Sequence, residues 1–487
     1  MNKAFLKNSL GSKETAEKLA QKAQQVVPAY KRYLETHDLK PGEPFENLPT
    51  SDKKSYALVY PYEDILVREP EEIFALFRSS GSSGNSFYWP QLKSTYRSAP
   101  VVGKKFFEDI FAIEQKKTLA IVGFNLGGWI GGESASWNLK NVALNAPYPF
   151  WVLCPGNDID EIIKIICQLE SSVEQIILLI VPSAIAHLHL RASQLKQSLP
   201  VKKLRYLVGG EPFPETLRIF FQNQAEVADN IPFMLSIYAS ADTGNLGFES
   251  LYSVAVRKLL CQNEALTGEL GIEFPIPQFF HFAAPDTFLE IVNGNLCVTL
   301  WQGIPLVRYI LYDRVSLYSW RELRQAILSS PHLNPQDEPW VKLLQSASEG
   351  LPDLIAITGR ADRCLIIGAA NLMEYMLDEA VKNEDLKDIL TGLYRATIVY
   401  EENQQYLSFN LETIQDIDLD LEKIDLVYYS LVKTLGRLEP YFFEAYKNLY
   451  SIWDTDRKKR ILRLNFVSWP SLSQTTKTSI KQRGIVQ

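Results

Sequence analysis

Between Ser12 and Tyr33, apolar and small residues recur at helical spacing among Lys, Glu and Gln, which predicts one or two amphipathic helices lying over the body of the protein. Pro41-Gly42-Glu43-Pro44 interrupts that pattern as a loop. Beyond it, apolar runs of strand length at Thr118–Val122, Trp151–Leu153 and Ile176–Val181 alternate with helical stretches such as Asp158–Leu169 and Pro214–Gln222. This alternation predicts an α/β architecture, with mixed sheets and helices in a large N-terminal domain of several subdomains. From about Phe288 the texture changes, and Asn293-Gly294-Asn295 sits between two alternating arms as a strong hairpin signal. After Gly359 the order reads strand (Cys364–Ile367), helix (Leu372–Val381), two strands (Tyr394–Tyr400 and Tyr406–Asn410), a helix from Leu421 to Thr434 extending toward Leu449, and a strand (Ile461–Val467). That βαββαβ order predicts a small α+β C-terminal domain, 359–487, after an N-terminal domain of 1–358.

Charge narrows the partners. Lys+Arg number 50 against 57 Asp+Glu, a net charge of −7, which offers no electrostatic footprint for nucleic acid or an anionic membrane. The five cysteines, Cys154, Cys167, Cys261, Cys297 and Cys364, are scattered and lie mostly in apolar runs, so they read as reduced thiols. No apolar run reaches the roughly 18–20 residues of a membrane span, and Met1–Lys13 lacks an apolar signal core; a cytoplasmic location is the expectation. Of the five histidines only His187-x-His189 are close, on different faces of a helix expected after Pro182, so zinc is not expected.

The sharpest local signal is Ser79-Ser80-Gly81-Ser82-Ser83-Gly84. Its glycines let backbone N–H groups turn toward an anion and its hydroxyls add donors, the chemistry a polyphosphate needs, although such a stretch alone also reads as a surface loop. Gly209-Gly210-Glu211-Pro212 and Tyr238-Ala239-Ser240-Ala241-Asp242 each follow an apolar run and end near a carboxylate, as ligand-binding turns at strand ends do; a capped structural turn is the alternative. Asp313 closes the run Val307–Tyr312, and Gly359-Arg360-Ala361-Asp362 forms a turn suited to a hinge.

In order and spacing these segments resemble the adenylate-forming enzymes, most closely their phenylacetate–CoA ligase-like branch. That family carries a Ser-Ser-Gly-Thr-Thr-Gly phosphate loop, a Gly-Glu-Pro turn, a Tyr-Gly-x-Thr-Glu turn, a strand ending in Asp and a Gly-Arg-x-Asp hinge; Leu48-Pro49-Thr50-Ser51-Asp52-Lys53 with Tyr60-Pro61 is similar to the branch's N-terminal segment. The resemblance implies that Ser79, Ser80, Gly81, Ser82, Ser83 and Gly84 contact the β/γ-phosphates of ATP. It implies that Gly210, Glu211 and Pro212 border the adenine, and that Tyr238, followed by Ala239 and Ser240, stacks on it. Asp242 would replace the usual Glu near Mg²⁺ and the α-phosphate, Asp313 would hold the ribose, and Arg360 with the hinge residue Asp362 would open a mobile domain. Lys477, with Lys481 as the alternative, is the candidate for the family's tail lysine, which supplies positive charge during adenylation. The glycine-rich segment holding Phe124, Gly127, Gly128 and Trp129 lies where similar ligases keep the acid, or else packs a helix closely.

The implied activity is formation of an acyl-adenylate from ATP and a small carboxylic acid, followed by acyl transfer to a thiol of CoA or an acyl carrier protein; a homodimer is compatible with it. Two rivals stand beside it. Tyr238-Ala239-Ser240-Ala241-Asp242 is nearer to the Tyr-Ala-Ser-Ser-Glu turn of amide-forming synthetases, and the altered acid and tail fit a degenerate binding protein.

Overall fold

Residues 5–67, 72–79, 87–228, 231–273, 275–361, 364–401 and 403–472 are described by the computed structural model. Among them, thirteen strands form one mixed sheet. Its parallel half runs Phe150–Leu153, Thr118–Val122, Gln175–Ile180, Leu204–Val208, Met234–Ser240 in spatial order. The inner strands Thr118–Val122, Gln175–Ile180 and Leu204–Val208 are buried along their whole length and mostly apolar, because both faces are covered. Leu119, Ile121, Ile176 and Leu178 share a core with helices Ile159–Leu169, Pro182–Gln194 and Glu215–Gln224. The alternate residues Ala120, Val122, Ile177 and Leu179 share another with Phe107 and Phe111 of helix Lys93–Phe111 and Leu139 and Val142 of helix Ile130–Asn145.

From Met234–Ser240 the sheet continues antiparallel through Gly244–Phe248, Gln278–Phe282, Leu354–Arg360, Leu306–Tyr318, Asn295–Leu300 and Phe288–Val292. The expected hairpin forms, turning on Asn293 and Gly294, both left-handed (φ 51° and 77°). Two helices, Lys13–Val26 and Pro28–Glu35, cover this half with Ala16, Ala20 and Ala23 inward; Pro28, which can begin a helix but not continue one, separates them.

The C-terminal region is α+β, with a three-stranded sheet of Leu390–Glu401, Gln404–Thr413 and Leu462–Val467. It differs from the expected order in two places. Strand Cys364–Ile367 pairs with an unforeseen strand, Ala370–Met373, in a separate hairpin, so the next helix begins at Glu374 rather than Leu372. The long helix stops at Leu438 instead of running on, because Pro440 has no N–H to continue it. The expected boundary between Thr358 and Gly359 falls inside strand Leu354–Arg360. The core under the parallel strands continues into this region through Ile367, Leu372, Met376, Leu431 and Phe442. All five cysteines are free, and no helix among the described residues is long and apolar enough to cross a membrane.

Candidate active site

In open α/β sheets ligands collect at the carboxyl ends of the parallel strands. Here three of the segments singled out in the sequence meet: Gly123-Phe124-Asn125 follows Thr118–Val122, Gly209-Gly210-Glu211 follows Leu204–Val208, and Ala241-Asp242 follows Met234–Ser240. The C-terminal region closes over the first two. A cavity of about 10 Å³, room for one water, remains between Gly123, Phe124 and Asn125 on one side and Tyr441, Ala445 and Leu449 on the other.

The Glu211 turn is held from both sides. Ser183 N donates to Glu211 Oε1 at 2.6 Å and Ala369 N to Oε2 at 3.0 Å, while Tyr400 Oη donates to the Pro212 carbonyl at 2.9 Å. Burial raises the Glu211 carboxyl and the Ser183, Ala369 and Gly368 bonds oppose it. Gly210 adopts φ 89°, and a Cβ there would lie 2.8 Å from Ala369 Cβ, so glycine serves both the turn and the close approach of the C-terminal hairpin. The turn expected to border adenine is therefore covered by residues 369 and 400.

The acidic groups form two clusters along strand Leu306–Tyr318. Arg308 and Tyr312 are left-handed (φ 49° and 62°), and register shifts against the neighbouring strand mark bulges. Such bulges re-aim side chains. Tyr309 Oη donates to Asp242 Oδ2 at 2.7 Å, Gln302 donates to the Asp242 carbonyl, and Tyr312 Oη donates to Asp52. Asp313 accepts from Tyr238 Oη at 2.5 Å and from Arg360 Nη1 at 3.2 Å. Burial raises the Asp242 carboxyl, while nearby Lys53 and the Tyr309 bond pull it down. Tyr238, expected as a stacking ring, has its hydroxyl committed to Asp313, and its phenol is raised by burial and then by that carboxylate.

Ser79 ends strand Ile73–Arg78, buried, with its N donating to the Phe87 carbonyl at 2.9 Å and Lys53 Nζ donating to its Oγ at 3.0 Å. Burial lowers the Lys53 ammonium, and Asp242 and Glu439 counter it. Arg78 lies over the Trp129 ring at 3.9 Å and the Tyr441 ring meets Trp129 edge-on at 4.6 Å. Trp129 is buried, Phe124 half-buried, and Gly127 and Gly128 exposed; Gly127 N donates to Glu133 Oε1 at 2.7 Å. Ala239 is exposed, and Ser240 Oγ accepts from Thr243 N at 3.2 Å, stabilising its own turn. Ser80, Gly81, Ser82, Ser83, Gly84, Asp362, Lys477 and Lys481 lie outside the described residues. Sequence reasoning assigned no role to Lys53, Arg78, Tyr309 or Glu439. Lys53 and Tyr309 carried a signal, as members of the Leu48–Lys53 segment and of the run Val307–Tyr312.

No family model matches the chain, and no curated protein matches it by sequence. Among solved structures, a 2-hydroxyisobutyryl-CoA ligase in complex with 2-HIB-AMP and CoA in the thioesterification state superposes with a TM-score of 0.57 at 14% identity, over 97% of this chain and 88% of that one. An acyl acid amido synthetase in complex with 2,4-DB aligns at 11% identity over 98% and 91%, with a TM-score of 0.42. An o-succinylbenzoate CoA synthetase double mutant from Bacillus subtilis aligns at 9% over 76% and 63%, with a TM-score of 0.39. The fold is that of the first of these structures, the 2-hydroxyisobutyryl-CoA ligase.

Proposed function

We propose that this protein activates a small carboxylic acid with ATP, releasing pyrophosphate and forming an acyl-adenylate, and passes the acyl group to a thiol of CoA or an acyl carrier protein. The observation that carries this reading is the meeting of phosphate-type donors, Ser79 and Lys53, with the carboxylate of Asp242 beside the carboxyl ends of the parallel strands.

Lys53 and Ser79 supply a positive charge and a hydroxyl to the nucleotide phosphates, together with the loop through Gly84. Asp313 accepts from the ribose hydroxyls, displacing the Tyr238 hydroxyl, while Arg360 stays paired with that carboxylate at 3.2 Å. The donor set fits Mg²⁺, which is commonly held by one or two carboxylates together with substrate phosphates: the Asp242 carboxylate lies near Lys53, which reaches Ser79. Asp242 is the residue that would hold it, and bound there it would neutralise charge on the phosphates. Lys477 is assigned to the α-phosphate in the first half-reaction. Phe124, Trp129 and Tyr441 supply apolar walls for the acid, with Gly127 and Gly128 leaving room beside them.

The cavity of about 10 Å³ between Phe124 and Tyr441 is far too small for an acyl group, so entry of the acid there requires the C-terminal region, taken as 359–487, to lift from the strand ends around Arg360 and Asp362. The phenylacetate–CoA ligase-like branch is favoured by the Leu48–Lys53 segment, whose Lys53 joins the site, and we place the enzyme in the cytoplasm. Amide formation is the second reading, favoured by the Tyr238-Ala239-Ser240-Ala241-Asp242 turn. ATP–pyrophosphate exchange across a panel of carboxylic acids tests the first half-reaction: acid-dependent exchange is expected, and ATP binding without exchange under any acid would leave a non-catalytic binding protein.

A further inference from the structure

Glu439 sits where the helical pattern was expected to run on. The break before Pro440 makes it the cap of the next turn, and its Oε1 accepts from Tyr441 N at 3.3 Å. The residue has 0% solvent exposure, and its Oε2 has no hydrogen-bond partner among the described residues. An orphaned buried carboxylate oxygen is costly. It is retained here beside chemistry. Two residues on, Tyr441 packs edge-on against Trp129, and Arg78 lies over the same Trp129 ring. The charges of Lys53 and Arg78 act on the carboxylate from the N-terminal part. Tyr375 faces it from helix Glu374–Val381, and Tyr441 from its own turn. Glu439 thus lies within the field of Lys53, assigned to phosphate, and of Arg78, which covers Trp129, assigned to the acyl group. The acyl–phosphate bond of the intermediate must span those same two places.

Building on the acyl-adenylate reading, we propose that Glu439 is the proton acceptor of the acyl-transfer step. As the acceptor's sulfur or nitrogen attacks the acyl carbonyl carbon, its S–H or N–H proton passes to Glu439 Oε2. The bond from the carbonyl carbon to the phosphate oxygen breaks, and AMP leaves with the electron pair. Burial supports the role, pushing the carboxyl up to about 7, with Tyr441 N, Lys53 and Arg78 opposing; a base is most effective when its pKa lies near the working pH.

The test uses the full chain with Glu439→Gln and Glu439→Asp, and with benzoate, phenylacetate and 2-hydroxyisobutyrate as acids. Pyrophosphate exchange reports the first half-reaction, and transfer from enzyme-bound acyl-AMP to coenzyme A or hydroxylamine reports the second. In Glu439→Gln, transfer should fall by about 10²–10⁴ and lose its pH-rate limb near 7, while exchange falls less than tenfold. Glu439→Asp should restore part of the rate with a shifted limb. Equal loss in both half-reactions, or transfer retaining the wild-type limb in Glu439→Gln, overturns the proposal. Should Glu439→Gln not fold, transfer by Glu439→Asp at the wild-type rate and pH profile overturns it. Absence of exchange in the wild-type protein with every acid would instead bring down the underlying reading.

Discussion

Replacing Glu211 by Ala removes the acceptor of two backbone N–H groups, Ser183 at 2.6 Å and Ala369 at 3.0 Å, from a buried position. Each buried donor left unpaired costs about 1–3 kcal/mol. The two do not respond alike. Ser183 opens a helix of the parallel core and stays in place, whereas Ala369 sits in the C-terminal hairpin and regains water if that hairpin lifts. The expected loss is about 3 kcal/mol in guanidinium denaturation, together with loss of hydrogen-exchange protection at the Ala369 amide. Glu211→Gln should be nearly as damaging, because its NH₂ must face one of the two donors. A change below about 0.5 kcal/mol in both variants, or an Ala369 amide protected as before, would refute the view that this carboxylate fastens the C-terminal region to the strand ends.

Three further outcomes are expected. Asp313→Ala should raise the apparent ATP KM roughly 10- to 150-fold, the equivalent of a charge-assisted hydrogen bond of about 1.5–3 kcal/mol, as steady-state kinetics would show. Gly210→Ala should lower the melting temperature, since it forces a side chain onto φ 89° and against Ala369 Cβ; adding Ala369→Gly should recover part of the loss, because it removes that contact and suits φ 64° at residue 369. Glu439 is protonated more readily folded, at about 7, than unfolded near 4.5, so its stabilising contribution is complete below pH 4.5 and is lost as pH rises toward 7. Between pH 4 and 8 the stability gap should therefore move in favour of Glu439→Gln by about 3 kcal/mol in urea denaturation, and a constant gap would contradict the burial of this carboxylate.

Elements defined by local pattern were legible in the sequence. Thr118–Val122 is a strand with those bounds, Asp158 caps helix Ile159–Leu169 by accepting from Glu161 N, and Asn293-Gly294 makes its hairpin. The C-terminal hairpin was not legible, because one of its two left-handed turn residues is Ala369, a residue type that gives no such signal. The bulges at Arg308 and Tyr312 are hidden for the same reason, and with them the aim of Tyr309 at Asp242. Asp242, Asp313 and Ser79 could be singled out because each belongs to a short motif. Lys53 and Glu439 could not be assigned from local pattern, since what brings them together is packing between segments almost 400 residues apart.

The central claim is that a carboxylate oxygen attacks the α-phosphate of ATP. It is tested most directly with a carboxylic acid that supports exchange, labelled with ¹⁸O in its carboxylate and turned over with ATP and hydroxylamine as the acyl acceptor. If an acyl-adenylate forms, the oxygen that bridged acyl carbon and phosphorus stays with the nucleotide, and mass spectrometry should find one ¹⁸O in AMP for each hydroxamate made. Hydroxamate formed with unlabelled AMP, or with the label in inorganic phosphate, would contradict it.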